Sequence, residues 1–421
     1  MKKGFWILFL AVIPLALFAQ RTNYDESKVP VFELPEPLRL FNGITVKNTE
    51  EWEKNRRPEL LDYFAENVYG KIPGELKIVK AEMVEQGESY SGKAIRKQVK
   101  LTFENNGKSL SFHILIFLPK QVNKAPIFVG YNFYGNHTVT NDSNVIISEA
   151  WSQNRESWGI VNNKLTAQSR GVRTYRWSVE KMLEAGLGLA TIFYCEVDPD
   201  RDDFSDGIHP LLYKPGQQVP EKNEWGSIAA WAWGLSRAMD YFETDHDIDA
   251  SKVIVFGHSR LGKTALWAGA TDQRFAAAIS NNSGCGGAAL SKRQFGETVY
   301  RVNNRFPYWF CKNFHQFNFN EDSLAADQHE LIALIAPRPV YIASAELDHW
   351  SDQRGEFLAA FYATPVYKMY GKTGIPSDQM PGLNQPIQNT VAYHIRTGEH
   401  DVTGYDWEQY IKWAKEQLNI E

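Results

Sequence analysis

The sequence predicts an α/β fold: one mostly parallel, eight-stranded sheet with helices covering both faces. Three observations predict it. Short, continuous apolar runs recur along the chain, longer helix-like segments lie between them, and a hairpin signal precedes the series. Strands that are apolar throughout, rather than alternating with polar residues, belong to sheets buried on both sides, and crossover helices cover a parallel sheet in that way.

The elements follow in order. Residues 20–40 are polar and punctuated by Pro30, Pro35 and Pro37, which suits a lead segment wrapping the surface. Residues 50–70 read as a helix with Trp52, Leu60, Leu61, Tyr63 and Phe64 on one side. Strand-like runs at 97–103 and 110–118 flank Glu104-Asn105-Asn106-Gly107, a hairpin turn. Six more runs, at 127–131, 189–194, 253–256, 276–279, 340–343 and 391–395, alternate with helix-like segments such as 227–242 and 263–270. The hairpin strands and these six make eight, the count of the α/β-hydrolase plan. No repeat, low-complexity tract or Pro/Ser-rich linker divides the chain. Residues 20–421 therefore read as one catalytic domain with an N-terminal lead segment, although length alone suggests two or three.

Composition narrows the function. A formal charge of −5 gives no basic surface for nucleic acid or anionic lipid. The 13 Trp and 19 Tyr would suit a wall that stacks sugar rings, or simply a large core. Lys2 and Lys3 precede an apolar run over 5–18 that ends at Ala19, before Gln20 and Arg21. That pattern reads as a signal peptide over residues 1–19, cleaved after Ala19, and the run is short for a membrane span. Secretion or export to a periplasm is expected, with no membrane attachment afterwards. Cys195, Cys285 and Cys311 allow one disulfide, for which Cys285 with Cys311 is the first pair to test, or free buried thiols. No CxxC or clustered His/Cys pattern marks a structural zinc site, and no cofactor or metal is expected.

The chemistry centres on Val253-Ile254-Val255-Phe256-Gly257-His258-Ser259-Arg260-Leu261-Gly262-Lys263. A buried strand runs into Gly257, a serine follows two residues on, and a helix starts at once. A nucleophile elbow needs this arrangement, which raises the hydroxyl above the sheet. The usual G-x-S-x-G is not met, since Leu261 holds its last position. A serine hydroxyl reacts only when a base takes its proton and an acid orients that base. His400, in Gly398-Glu399-His400-Asp401 after the last strand, is the expected base. His394 lies within that strand and reads as structural. Asp348, in the loop after the 340–343 run, is the expected acid, with Glu346 the competitor. The Arg260 main-chain NH and guanidinium are candidate donors to the oxyanion. The loop Asn132–Thr138 is expected to form another wall of the pocket.

At these residues the chain resembles a known family. Gly257-His258-Ser259-Arg260-Leu261-Gly262-Lys263 is similar to the G-C-S-R-x-G-K signature of the glucuronoyl esterases, carbohydrate esterase family 15, and Asn282-Ser283-Gly284-Cys285-Gly286-Gly287 to a downstream S-G-x-G-G. The resemblance runs through most of the chain after about residue 40. It implies a metal-free serine hydrolase that cleaves the ester joining 4-O-methyl-glucuronic acid on xylan to an alcohol of lignin. Carried over, it makes Ser259 the nucleophile, His400 the base and Arg260 the oxyanion stabiliser, with Lys263, Glu297 and Trp350 holding the sugar hydroxyls. Two positions depart from the pattern. His258 replaces the signature cysteine, and Asn282 stands where the family often places its acid. Bacterial members can use the acid after the seventh strand instead, which favours Asp348. The partner expected is a glucuronoxylan or lignin–carbohydrate ester, and the chain is expected to act as a monomer. The competing readings are an acetyl xylan or other carbohydrate esterase on the same fold, and a glycan-binding protein without turnover.

Overall fold

The computed structural model describes residues 22–421, so the signal peptide expected over residues 1–19 lies outside the described residues. The strands are β1 (Lys80–Ser89), β2 (Ala94–Asn105), β3 (Lys108–Pro119), β4 (Ala125–Asn132), β5 (Gly188–Phe193), β6 (Ile248–His258), β7 (Ala277–Asn281), β8 (Val340–Ala345) and β9 (Val391–Arg396). They form one sheet in the order β1-β2-β3-β5-β4-β6-β7-β8-β9. The first three strands join it antiparallel and the other six run parallel to one another. This is the sheet of the α/β-hydrolase fold.

The strand sequences explain why both faces are covered. In β4, Ile127 and Val129 enter one core and Phe128 the other; β6 separates Val253 and Val255 from Ile254 and Phe256 in the same way. Successive side chains leave a strand on opposite sides, so two buried faces demand unbroken apolar runs. The first face is packed by α1 (Ser227–Phe242), α2 (Arg260–Thr271) and α3 (Gln353–Met369), the second by α4 (Gly404–Gln417) and the short helix Val179–Glu184. The helix expected over 50–70 is present over 49–69, with Trp52, Leu60 and Phe64 fully buried.

One expectation needs correction and one open choice is decided. The sheet has nine strands rather than eight, because β1 adds an outer edge. Its sequence, Lys-Ala-Glu-Met-Val-Glu-Gln-Gly-Glu-Ser, is mostly exposed and carries no apolar alternation. Charges and a bulge between Met83 and Glu85 suit an edge that must not pair with another sheet. Of the two readings left open for the cysteines, the bridge is the one set aside: Cys195, Cys285 and Cys311 are buried free thiols, with Cys311 near the Glu66 carbonyl and Cys285 near Ser291.

Trp407 anchors the second core. It is fully buried against Phe256 (4.6 Å between ring centres), Phe128 (5.5 Å) and Tyr410 (5.7 Å), and its indole NH donates to the Arg176 carbonyl at 2.6 Å. Trp407→Ala is expected to cost about 3–5 kcal/mol, read as a lower urea midpoint with the slope of the transition unchanged.

Candidate active site

The strand-to-helix turn after β6 is strained. Ser259 adopts φ 60° and ψ −131°, a conformation that costs a side-chain-bearing residue about 1–3 kcal/mol and persists only where packing dictates it. The packing does dictate it here. A Cβ on Gly257 would sit 1.8 Å from the Leu261 carbonyl oxygen, so only glycine lets the first turn of α2 fold back over the strand end. The Ser259 main-chain NH donates to the Asn281 carbonyl at 2.9 Å, tying the turn to the end of β7. Its side chain is half-buried, and its hydroxyl makes no hydrogen bond among the described residues.

His400 and Asp348 meet beside this turn. The Nδ1 of His400 lies 2.6 Å from Oδ2 of Asp348, and the His400 ring centre is 4.5 Å from that of His258, the neighbour of Ser259. Asp348 is 5% exposed and also accepts from Asn282 Nδ2 at 2.9 Å. Burial works to raise its pKa, but the bond and charge of His400, helped by Ser351 and Asn282, outweigh burial and hold the carboxyl below its usual range. A carboxylate on Nδ1 keeps the imidazole proton there and leaves Nε2 able to accept one. Glu346 is not part of this contact; its main-chain NH donates to the Arg396 carbonyl at 2.8 Å.

A buried polar network fixes the His400 loop. Arg396 donates to the carbonyls of Thr397 (3.0 Å), Glu399 (3.0 Å) and Asp401 (2.5 Å), and to the Asp406 carboxylate at 2.8 Å. Asp406 caps the start of α4 and also meets His394 Nε2 at 2.9 Å and Asn281 Nδ2 at 3.3 Å. His394 thus belongs to a second His–Asp pair, sealed inside the sheet. Asn281 Oδ1 in turn accepts from His258 Nδ1 at 2.7 Å. Neither Arg396 nor Asp406 was singled out from the sequence. The Thr403-x-x-Asp406 spacing marks a helix start, but nothing local shows that its carboxylate also holds an arginine on β9.

On the other side of Ser259, the Arg260 guanidinium lies between Phe133 (5.1 Å) and Trp309 (5.0 Å) and 3.3 Å from Asp200. Asp200 accepts from Tyr194 (2.8 Å), Tyr308 (2.9 Å) and Trp309 (2.8 Å), all unforeseen from the sequence. Burial opposes the guanidinium charge, but Asp200 overcomes it and raises the pKa. One helical turn beyond Ser259, Lys263 donates to the Cys285 carbonyl and, at 2.6 Å, to Glu297. The Glu297 main-chain NH donates to the carbonyl of half-buried Trp350 at 2.8 Å. Lys263, Glu297 and Trp350 therefore come together. Glu356, also unforeseen, braces this side: its carboxyl accepts from the Ser283 NH (2.6 Å), the Gly284 NH (3.0 Å) and the Ser344 hydroxyl (2.6 Å), and burial pushes its pKa up to about 8. Among the described residues no group of three or more His, Cys, Asp or Glu side chains could hold a metal ion.

Burial, and then the nearby charge of His400, pushes the His258 pKa well below its usual value. The unfolded chain takes up that proton near pH 6.5 and the folded chain does not, so this contribution to stability is complete above pH 6.5 and is lost on acidification. Glu321 and Glu330, whose pKa values burial raises to about 7, act in the opposite sense, so total stability does not isolate the histidine. The difference between wild type and His258→Gln does. Urea denaturation from pH 7.5 to 5 is expected to show the variant gaining relative to wild type as the pH falls.

The family described as glucuronyl esterase of fungi matches residues 216–371. A carbohydrate esterase, MZ0003, from an unknown prokaryotic organism is 50% identical over 94% of this chain and 92% of its own length. The solved structure of a promiscuous esterase of carbohydrate esterase family 15 from a marine bacterial metagenome superposes with a TM-score of 0.89 at 50% identity, covering 94% of this chain and all of that one. The glucuronoyl esterase of Solibacter usitatus superposes with a TM-score of 0.87 at 46% identity, covering 93% of this chain and 99% of that one.

Proposed function

The chain belongs to carbohydrate esterase family 15, the glucuronoyl esterases, and from that premise we propose that it hydrolyses esters of glucuronic acid or 4-O-methyl-glucuronic acid, as in xylan–lignin linkages, through an acyl-enzyme on Ser259. The observation that carries the reading is the 2.6 Å contact between buried Asp348 and His400 beside the Ser259 turn. With Nδ1 held by Asp348, Nε2 of His400 takes the Ser259 proton as the hydroxyl attacks the ester carbonyl. In unliganded enzymes this nucleophile–base contact is often loose and tightens when substrate arrives. The oxyanion draws on the main-chain NH and guanidinium of Arg260. His400 then returns the proton to the departing alcohol, and water repeats the sequence to release the uronic acid.

An esterified uronate has no carboxylate charge to grip, so orientation falls to its hydroxyl groups. Lys263 and Glu297 supply a donor and an acceptor for them, and Trp350 a ring face. The protein acts on polymer outside the cytoplasm, exported by the leader over residues 1–19 and cut after Ala19. Among the described residues no helix is long and apolar enough to cross a membrane.

Purified protein is expected to hydrolyse methyl and benzyl glucuronate faster than an acetylated xylan substrate. Ser259→Ala and Asp348→Asn are each expected to lower kcat by about ten-thousandfold, and Arg260→Ala by about a hundredfold or more. Glu346→Gln is expected to stay within about twofold, because the Glu346 side chain takes no part in the contact with His400. Full activity in Asp348→Asn would overturn the acid assignment.

A further inference from the structure

Beside the candidate active site, the segment 155–176 is unusual for an acidic chain. It holds Arg155, Lys164, Arg170, Arg173 and Arg176 against Glu156 alone, while the whole protein carries a formal charge of −5. Two of these arginines converge on one pair of rings. Tyr134 and Trp158 pack edge to face with centroids 5.0 Å apart. The Arg155 guanidinium lies 5.6 Å and 5.4 Å from those two ring centres, and that of Arg173 lies 5.9 Å and 4.9 Å from them. Arg173 is also 5.1 Å from the ring of Tyr175.

Neither guanidinium has an ion-pair partner among the described residues. Arg155 donates to the Tyr134 hydroxyl at 3.2 Å and Arg173 to the Tyr175 hydroxyl at 2.6 Å, one hydrogen bond each from five available N–H groups. Asp401, an acid close enough to act on Arg173, is already engaged by Arg176. Burial, and then the charge of Arg176, lowers the Arg173 pKa. The rings hold the two cations close together with most of their N–H groups uncommitted to protein acceptors, an arrangement suited to a carboxylate.

The cluster is also continuous with the candidate active site. Tyr134 follows Phe133, whose ring meets both His258 and Arg260. The Tyr175 hydroxyl donates to Asp401, beside His400, at 3.3 Å. We propose that Arg155 and Arg173, held by Tyr134, Trp158 and Tyr175, form a carboxylate-binding subsite that takes a second, unesterified uronate of the same acidic polysaccharide. This inference rests on the glucuronoyl esterase reading. A neutral ester group meets Ser259 while a charged neighbour on the polymer docks beside it, so the subsite favours polymer over small esters.

The test measures binding to the Ser259→Ala protein, which leaves ligands intact, and turnover in the Ser259 protein. Binding of a glucuronate-substituted xylo-oligosaccharide is expected to be about tenfold tighter than that of the unsubstituted oligosaccharide, and the advantage is expected to vanish on raising salt from about 50 to about 500 mM. It is also expected to vanish in Arg155→Glu, a change at an exposed position that the fold tolerates, and to shrink in Arg173→Lys, which keeps the charge but loses the planar fork. Turnover of methyl glucuronate by the same arginine variants serves as the check on folding. An acidic-ligand advantage that persists in Arg155→Glu would overturn the subsite. So would no advantage in a protein that still hydrolyses methyl glucuronate. Binding of a hydroxycinnamate in place of the uronate oligosaccharide would overturn the polysaccharide assignment. Failure of the Ser259 protein to hydrolyse any glucuronate ester would instead strike the functional reading, a result distinct from the other three.

Discussion

Asp348 brings a negative charge to a position where the residue is 5% exposed, and the loops at one end of the sheet are arranged around that charge. A buried carboxylate costs several kcal/mol unless its hydrogen bonds are satisfied. Two loops satisfy it: the one after β9 through His400, and the one after β7 through Asn282. The residue at 282 is then constrained. An aspartate there would face Asp348 across a hydrogen-bond distance, and two carboxylates sharing one site cannot both stay ionised easily. The amide donates where a carboxylate would repel. The carboxylate at 348 in the loop after β8 and the asparagine at 282 after β7 are thus two halves of one arrangement.

The remaining geometry keeps three distant segments in register. The elbow fixes Ser259 through the close approach of Gly257 to Leu261. Arg396 and Asp406 fix the His400 loop from beneath, and Asn281 joins both systems through His258 and Asp406. Side chains at the carboxyl ends of parallel strands are brought together in this way by rigid elements, while the loops between them supply the chemistry. The aromatic flanks of Arg260 and its ion pair with Asp200 serve the same end on the opposite side of Ser259.

Much of this was legible in the sequence, and the reasons differ by element. The six parallel strands and the hairpin stood out because two buried faces impose continuous apolar runs. β1 did not, because an exposed edge strand carries no such constraint. Ser259, His400 and Asp348 could be named as candidates because each follows a strand that the pattern located, and the fold brings His400 and Asp348 together beside the Ser259 turn. Asp200, Arg396, Asp406 and Glu356 were not: each acts through partners distant in the chain, and a lone buried charge has no local signature. The possible Cys285–Cys311 bridge shows the same limit, since residue spacing does not give the distance between two buried thiols.

The central claim is that Asp348, and no other acid, holds the proton on Nδ1 of His400. Proton and nitrogen NMR of the imidazole at neutral pH tests it directly. The account predicts a strongly hydrogen-bonded Nδ1–H resonance for His400 that disappears in Asp348→Asn and is unchanged in Glu346→Gln. A resonance that survives replacement of Asp348 would contradict it.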